Sequence, residues 1–345
     1  MPLWFPMTAP VFTAMIEAAT AAPSPDNNQP WRFQAENNRL LVFLDPARSL
    51  PSDEQSMFDL TAIGAAVENA VIAAAEHQSA AEVTWLGMSE DAKDPLVEIK
   101  LRPGGTPNPL FSAIPHRCTC RKPYSRQPLD QRQFDSLNKS VEPFPDAQLN
   151  WIAAPGEKSR FGSLIAQTDS LRFRTRPFHE ELFRQLRFTP QEAESTRDGL
   201  DVRTLELPPG VATLLRMLRS WKRMSAVHAL KLTPLLTMPS KTAVKNSAAI
   251  AVVSVPTASP ETFLVGGRAI ERLWLTAAKE GLSMHPLGSL PIFLLQSNPK
   301  PEFRQAIDNA RQGIAELLPA TSERAIQLAF RIGISPPPSQ RSLRL

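Results

Sequence analysis

Gly64-Ala-Ala-Val-Glu-Asn-Ala-Val-Ile-Ala-Ala-Ala75 is matched, at a constant offset of 203, by Gly267-Arg-Ala-Ile-Glu-Arg-Leu-Trp-Leu-Thr-Ala-Ala278. The glycine, Ala66/Ala269, Glu68/Glu271 and the closing alanine pair coincide. Each stretch reads as an Ala-rich helix with apolar side chains almost all round, the pattern of a helix buried on every side. Other features recur around them. Pro25-Asp26 leads to Trp31, and Pro145-Asp146 leads to Trp151, at an offset of 120. Strand-like runs follow at Val97 to Leu101 and at Ala329 to Ile334. One order of elements therefore occurs twice. The expectation is an internal duplication, with residues 1–110 as a first half and 111–345 as a second.

The spacings differ between the copies. Trp31 to Gly64 is 33 residues, whereas Trp151 to Gly267 is 116, so the second copy carries about 83 more. The surplus falls at about Arg172 to Lys245, which holds 14 Lys and Arg against 7 Asp and Glu in a chain of net charge +4. Within it, Val211 to Leu236 reads as a basic amphipathic helical stretch interrupted by Pro234. Such a stretch suits a lid packed over the core or a membrane surface. The lid is the preferred reading because apolar helix stripes are usually packed, and membrane contact is not expected.

With 42% of its 345 residues hydrophobic and 21% charged, the chain is neither disordered nor collagen-like and can bury a large core. No apolar run approaches the roughly 18–20 residues needed to cross a bilayer. The opening Met1 to Met7 lacks the basic and apolar regions of a secretory signal, so a cytoplasmic protein is expected. The 34 prolines imply many fixed connections. Strands at Arg39 to Leu44, Val97 to Leu101, Ala248 to Val255 and Ala329 to Ile334 alternate with helices, giving an α/β (α+β) class with a mixed sheet covered by helices. Ala248 to Val255 is apolar enough for a central strand buried on both faces. Gly266-Gly267 opens a helix alone, and no dinucleotide fingerprint, phosphate loop or nucleophile elbow is present. A basic segment attracts anions of any kind, and no nucleic acid partner is expected.

Two constellations carry chemistry. In Pro23-Ser24-Pro25-Asp26-Asn27-Asn28-Gln29-Pro30-Trp31, prolines pin the backbone while Ser24, Asn27, Asn28 and Gln29 offer neutral donors and acceptors to a planar heteroaromatic ligand. In His116-Arg117-Cys118-Thr119-Cys120-Arg121, an extended backbone would point Arg117, Thr119 and Arg121 to one side as an anion clamp. The tract Pro336-Pro-Pro-Ser-Gln-Arg341 delivers a further guanidinium to a fixed place. Cys118 and Cys120 read as reduced thiols, and the five histidines have no metal-ligand spacing, so no metal is expected.

Taken in order, four landmarks resemble the FMN-dependent nitroreductase family, most closely its branch with two halves fused in one polypeptide, which includes the mycobacterial Acg-type proteins. They are Pro23 to Trp31, Arg117 to Arg121, the Gly-Arg-Ala helix ending in Gly281-Leu282, and the Arg-Ile-Gly strand followed by the proline tract and Arg341. The resemblance implies a nitroreductase-like pseudo-dimer binding FMN, with Arg117 and Arg341 on the phosphate and Thr119 near the phosphate and ribityl chain. Arg121 would lie by the pyrimidine edge. Pro23, Ser24, Pro25 and Asn27 would come from the other half, and Pro286, Leu287, Gly288 and Ser289 would line the ring. The flavin carries the chemistry, so no catalytic side chain is assigned; His285 is placed either to donate a proton or simply to pack. NAD(P)H would reduce the cofactor and a small electrophile, a nitroaromatic or a quinone, would reoxidise it in ping-pong fashion. The alternative is a flavin-sequestering protein closed by its lid. One composite site per chain is expected, in a monomer or a homodimer. Ser283-Met284-His285 and Ser339 depart from the family pattern.

Overall fold

A computed structural model describes residues 9–89, 91–296 and 298–345; the Met1 to Met7 reading lies outside the described residues. Helix α1 (Ala9–Thr20) leads to the hairpin β1 (Trp31–Glu36) and β2 (Arg39–Leu44), then to α2 (Met57–Glu76), β3 (Ser79–Trp85) and β4 (Val97–Pro103). Next come α3 (Gln131–Val141) and β5 (Gln148–Ile152). A helical excursion follows: α4 (Pro155–Arg174), α5 (Arg176–Gln185), β6 (Leu186–Arg187), α6 (Pro190–Thr196), β7 (Leu200–Asp201), α7 (Val211–Met217), α8 (Trp221–Ala229) and α9 (Thr233–Lys245). The chain returns in β8 (Ala249–Val255), α10 (Pro260–Lys279), β9 (Ser283–Pro286), α11 (Ser289–Leu294), α12 (Pro301–Leu317) and β10 (Ala325–Gly333).

Two four-stranded antiparallel sheets result, ordered β1-β2-β4-β3 and β5-β8-β10-β9. Taken in order of appearance, both run first, second, fourth, third. The expected α+β class, with helices covering sheet, is what the chain adopts, but two antiparallel sheets stand in place of the one mixed sheet expected. In the first sheet burial alternates along β3 and β4, so one face meets solvent. The second is closed on both faces, and β8 is buried at every position, as its apolar run predicts. Its far side is covered through Phe161, Ile165, Val244 and Ile314 of α4, α9 and α12.

Between the sheets lie α2 and α10. A Cβ on Gly64 would stand 2.1 Å from the Leu264 carbonyl oxygen, and one on Gly267 would stand 2.3 Å from that of Thr61. Thr61 and Leu264 are themselves related by the 203-residue offset, so the contact is reciprocal. Charges do not follow the same exchange. Glu68 meets Arg268 at 3.0 Å and Arg272 at 2.7 Å, while Glu271 meets Asn69 at the place matching Arg272. Gln327 of β10 ties the layers together, its Nε2 donating to Thr61 Oγ1 at 2.7 Å and to the Phe263 carbonyl at 2.6 Å.

Three further sequence expectations need correction. Gly266-Gly267 does not open a helix: α10 begins at Pro260 behind a Ser259/Thr262 capping box, and the glycines sit mid-helix where Gln327 and α2 approach. The 211–236 stretch is three short helices, broken at Leu218–Ser220 and at Leu230–Leu232, where Lys231 is left-handed. Pro234 opens α9, in the first turn, where a missing N–H costs nothing. And α2 is long and apolar enough to cross a membrane by length and composition, but it is enclosed on almost every side as a core helix.

Backbone-to-backbone contact leaves no room for a methyl group. Gly267→Ala is therefore expected to cost about 2–4 kcal/mol in urea unfolding. Gly156→Ala in α4, where a Cβ meets nothing within 4 Å, should be neutral or stabilising by up to about 1 kcal/mol.

Candidate functional site

A cavity of about 530 Å³ is walled by residues 21–27 and 50–62 from the first half of the chain and by residues from 114 onward. The twelve residues that the resemblance implies all line it: Pro23, Ser24, Pro25 and Asn27, then Arg117, Thr119, Arg121 and Arg341, then Pro286, Leu287, Gly288 and Ser289. Backbone pairing explains the second group. Thr119 bridges to Met284 in β9, and the Cys120 N–H donates to the Met284 carbonyl at 3.0 Å, which lays the segment along the sheet edge. The thiols part: Cys118 lines the cavity, whereas Cys120 is buried with its Sγ 3.3 Å from Ser335 Oγ.

One end of the cavity is cationic. Arg117 is buried, with Nη2 donating to the Ala21 carbonyl at 2.7 Å, its guanidinium 4.8 Å from the Trp274 ring centre and Nε 3.3 Å from Glu271 Oε1. Arg341 Nη2 donates to the Arg117 carbonyl at 2.6 Å, and Arg344 lines the same end. Burial first, then repulsion from Arg117, brings Arg344 down to about 9. Burial drives the Glu271 carboxyl up to about 7, with Arg117 opposing. Three guanidiniums thus share one reluctant carboxylate. Such an arrangement is short of negative charge.

Elsewhere on the cavity wall, burial, with Asp26 opposing and Arg331 assisting, lowers Arg121, whose Nη1 donates to the Thr204 carbonyl at 3.2 Å. His285 accepts a hydrogen bond at Nδ1 from Arg331 Nε, 3.0 Å away, so its own proton sits on Nε2. Burial, Arg121 and Arg331 hold that imidazole well below its usual range. His285 is a neutral N–H donor and packs against Arg331; it does not carry a charge at neutral pH.

The polar loop is spent differently from its sequence reading. Asn28 Nδ2 donates to the Arg48 carbonyl and to Asp59 Oδ1, at 2.8 and 3.1 Å. Gln29 Nε2 donates to the Arg197 carbonyl at 2.9 Å, and its Oε1 accepts from the Leu345 N–H at 3.0 Å. Both side chains are buried in protein and away from the cavity wall, so their amides clasp the chain rather than a ligand. Asn27 Nδ2 holds the Leu343 carbonyl at 3.0 Å, which leaves Oδ1 buried and unpartnered. These bonds also hold Asp26, Asn27 and Gln29 in left-handed backbone, which is costly for Gln.

Sequence reading missed Asp169, Arg172 and Arg344. Ile165, Asp169 and Arg172 line the cavity from one face of α4, at i, i+4 and i+7. That spacing was the available signal. Arg172 Nη2 pairs with Asp26 Oδ2 at 3.1 Å. Asp169 is pushed up by burial, with hydrogen bonds from Ser240 and Ser289 opposing.

No family model matches the chain. It is 27% identical over 344 residues to the uncharacterized protein MT1398 of Mycobacterium tuberculosis (strain CDC 1551 / Oshkosh), covering 97% of this chain and 47% of that protein. The chain thus spans about half the length of the curated relative it matches. Among solved structures it is similar to a Bacteroides fragilis nitroreductase with bound FMN, at 9% identity and TM-score 0.38, over 66% of this chain and 89% of that one. Iodotyrosine deiodinase bound to FMN and 3-iodo-L-tyrosine is 12% identical, TM-score 0.39, over 68% and 95%. The FMN-dependent nitroreductase NfnB of Mycobacterium smegmatis in complex with NADPH is 11% identical, TM-score 0.35, over 65% and 86%. Likeness at this level assigns no chemistry to the chain, which rests on the cavity itself.

A dianion seated among Arg117, Arg341 and Arg344 would raise Glu271 further above 7. The filled site would then hold a proton that the free site lacks. Affinity for a phosphate monoester should fall as pH rises from 7 to 9, where the monoester is already dianionic, by at most about tenfold per pH unit. Calorimetric titration should show proton uptake, and Glu271→Gln should remove the share seen near pH 7 while leaving the share that Arg344 contributes near pH 9. Arg341→Ala, at an exposed side chain, should weaken binding roughly 10–150-fold without loss of fold.

Proposed function

We propose that the chain is an FMN-dependent oxidoreductase that takes reducing equivalents from NAD(P)H and passes them to a small electrophile such as a nitroaromatic or a quinone. The observation that carries the reading is the triple guanidinium end of a cavity large enough for a nucleotide-sized ligand. Arg117, Arg341 and Arg344 would hold the phosphate, with Thr119 beside them. The unpartnered Asn27 Oδ1 supplies a buried acceptor for a ribityl hydroxyl or an imide N–H. Phe58 and the Leu287–Ser289 segment lie side by side on the cavity wall and offer an apolar surface to a planar group. Arg121 brings a cation to the side away from the phosphate, where negative charge on a reduced ring would be stabilised.

Bound FMN would supply hydride acceptance and donation. The protein's part is to orient, to exclude water and to hold protons. Asp169, kept protonated more readily by burial, stands at the cavity wall with Ser240 and Ser289 and would donate a hydrogen bond to an acceptor molecule. His285 offers a fixed neutral N–H nearby. One cavity serving donor and acceptor in turn implies ping-pong kinetics. The reciprocal glycine contact and the shared strand order support an internal duplication, with halves 1–110 and 111–345 and one composite site per chain. The same features support a nitroreductase-like pseudo-dimer.

A second reading, a flavin-holding protein without turnover, is favoured by how the excursion is tied across the cavity. Arg172 pairs with Asp26, Glu181 accepts from the Ser52 N–H and hydroxyl at 2.8 and 2.5 Å, and Arg121 reaches Thr204. These ties support a lid at residues 172–245 in both readings.

Reconstituted protein should carry one FMN per 38.1 kDa chain, and anaerobic NADPH should bleach its yellow colour. Bleaching followed by reoxidation with a quinone supports the oxidoreductase; colour that NADPH leaves unchanged supports sequestration. Arg172→Ala, which opens one tie, is expected to speed bleaching in stopped flow.

A further inference from the structure

Ten large hydrophobic side chains are exposed among the described residues, and six of them lie between 214 and 238: Leu214, Met217, Leu230, Leu232, Leu235 and Met238. Leu230 is 69% and Leu235 61% exposed. Their spacings, 214/217 and 232/235/238, put each set on one helical face. They are not needed for packing, because the inward side chains of the same helices already have a core. Leu215, Leu218, Trp221, Met224, Val227 and Leu236 close on Phe183 and Leu186. Single exposed leucines are ordinary; six within 25 residues form a patch that calls for a partner.

Charge identifies the partner. Residues 211–245 hold seven Lys and Arg, all exposed, and no Asp or Glu occurs from 207 to 260. Among the described residues none of the seven is ion-paired. Cations surrounding aliphatic side chains, without carboxylates and without an exposed large aromatic among them, match an interface with lipid headgroups and acyl chains. Protein interfaces favour aromatic anchors and shed lysine. Against the expectation from the sequence, we propose that α7, α8 and α9 form a peripheral docking surface for an anionic lipid bilayer, with Leu230, Leu232, Leu235 and Met238 entering the acyl boundary. The proposal stands apart from the flavin reading, although α9 also lends Ser240 to the cavity wall, so the docked face and the cavity share an element.

Co-sedimentation of the full chain with vesicles tests it. The protein should bind phosphatidylcholine vesicles containing phosphatidylglycerol at least about tenfold more tightly than phosphatidylcholine alone, and added salt should weaken that binding. Leu230→Ser with Leu235→Ser should reduce partitioning by about tenfold or more with an unchanged near-ultraviolet circular dichroism spectrum. Lys222→Glu with Arg223→Glu should remove the preference for anionic lipid. Absence of vesicle binding at physiological salt, or equal binding by the parent and the double serine variant, overturns the proposal. So does concentration-dependent self-association in sedimentation velocity that the double serine variant loses while vesicles capture neither protein, since the patch would then cover a second copy.

Discussion

Gly64 and Gly267 let α2 and α10 touch backbone to backbone, and the rest of the molecule is arranged around that contact. Each helix carries its own sheet, so the distance between the helices sets the distance between the sheets. The first turns of α2 and the middle of α10 supply Phe58, Thr61, Ile270 and Trp274 to the cavity. A wider helix crossing would move those walls apart. Packing at one point therefore fixes the shape of a site drawn from segments hundreds of residues apart.

Electrostatics then decides what that site prefers. Glu68 is satisfied twice over by Arg268 and Arg272, whereas its counterpart Glu271 has no cation on α2 and relies on Arg117. The symmetry of the helix pair is broken here, since Arg268 and Arg272 of α10 correspond to Ala65 and Asn69 of α2. Arg117 is drawn inward to Glu271 and Trp274, and the C-terminal guanidiniums gather around it. A buried ion pair of this kind contributes little stability by itself; its effect is to leave the neighbouring cations undercompensated.

The frame was legible in the sequence because burial writes itself into composition. The all-apolar 248–255 run and the paired Ala-rich helices have few alternative readings, and the residues that reach the cavity lie on short motifs with fixed spacing. Other features depend on contacts the sequence does not announce. The amides of Asn28 and Gln29 read as ligand groups because their partners, the carbonyl of Arg197 and the N–H of Leu345, are remote in the chain. Arg344 had no motif around it. Asp169 and Arg172 fall at the apparent lid boundary at 172, one just before it and one on it, although α4 begins at Pro155 and packs on the second sheet as well as on the cavity.

The clasp between Asn27 and Leu343 spans 316 residues of sequence. Gln29 Oε1 likewise accepts from the Leu345 N–H, so the strained Asp26–Gln29 turn finds these partners only after both sheets have been made. Contacts of such long sequence separation raise the contact order of the chain and slow its folding.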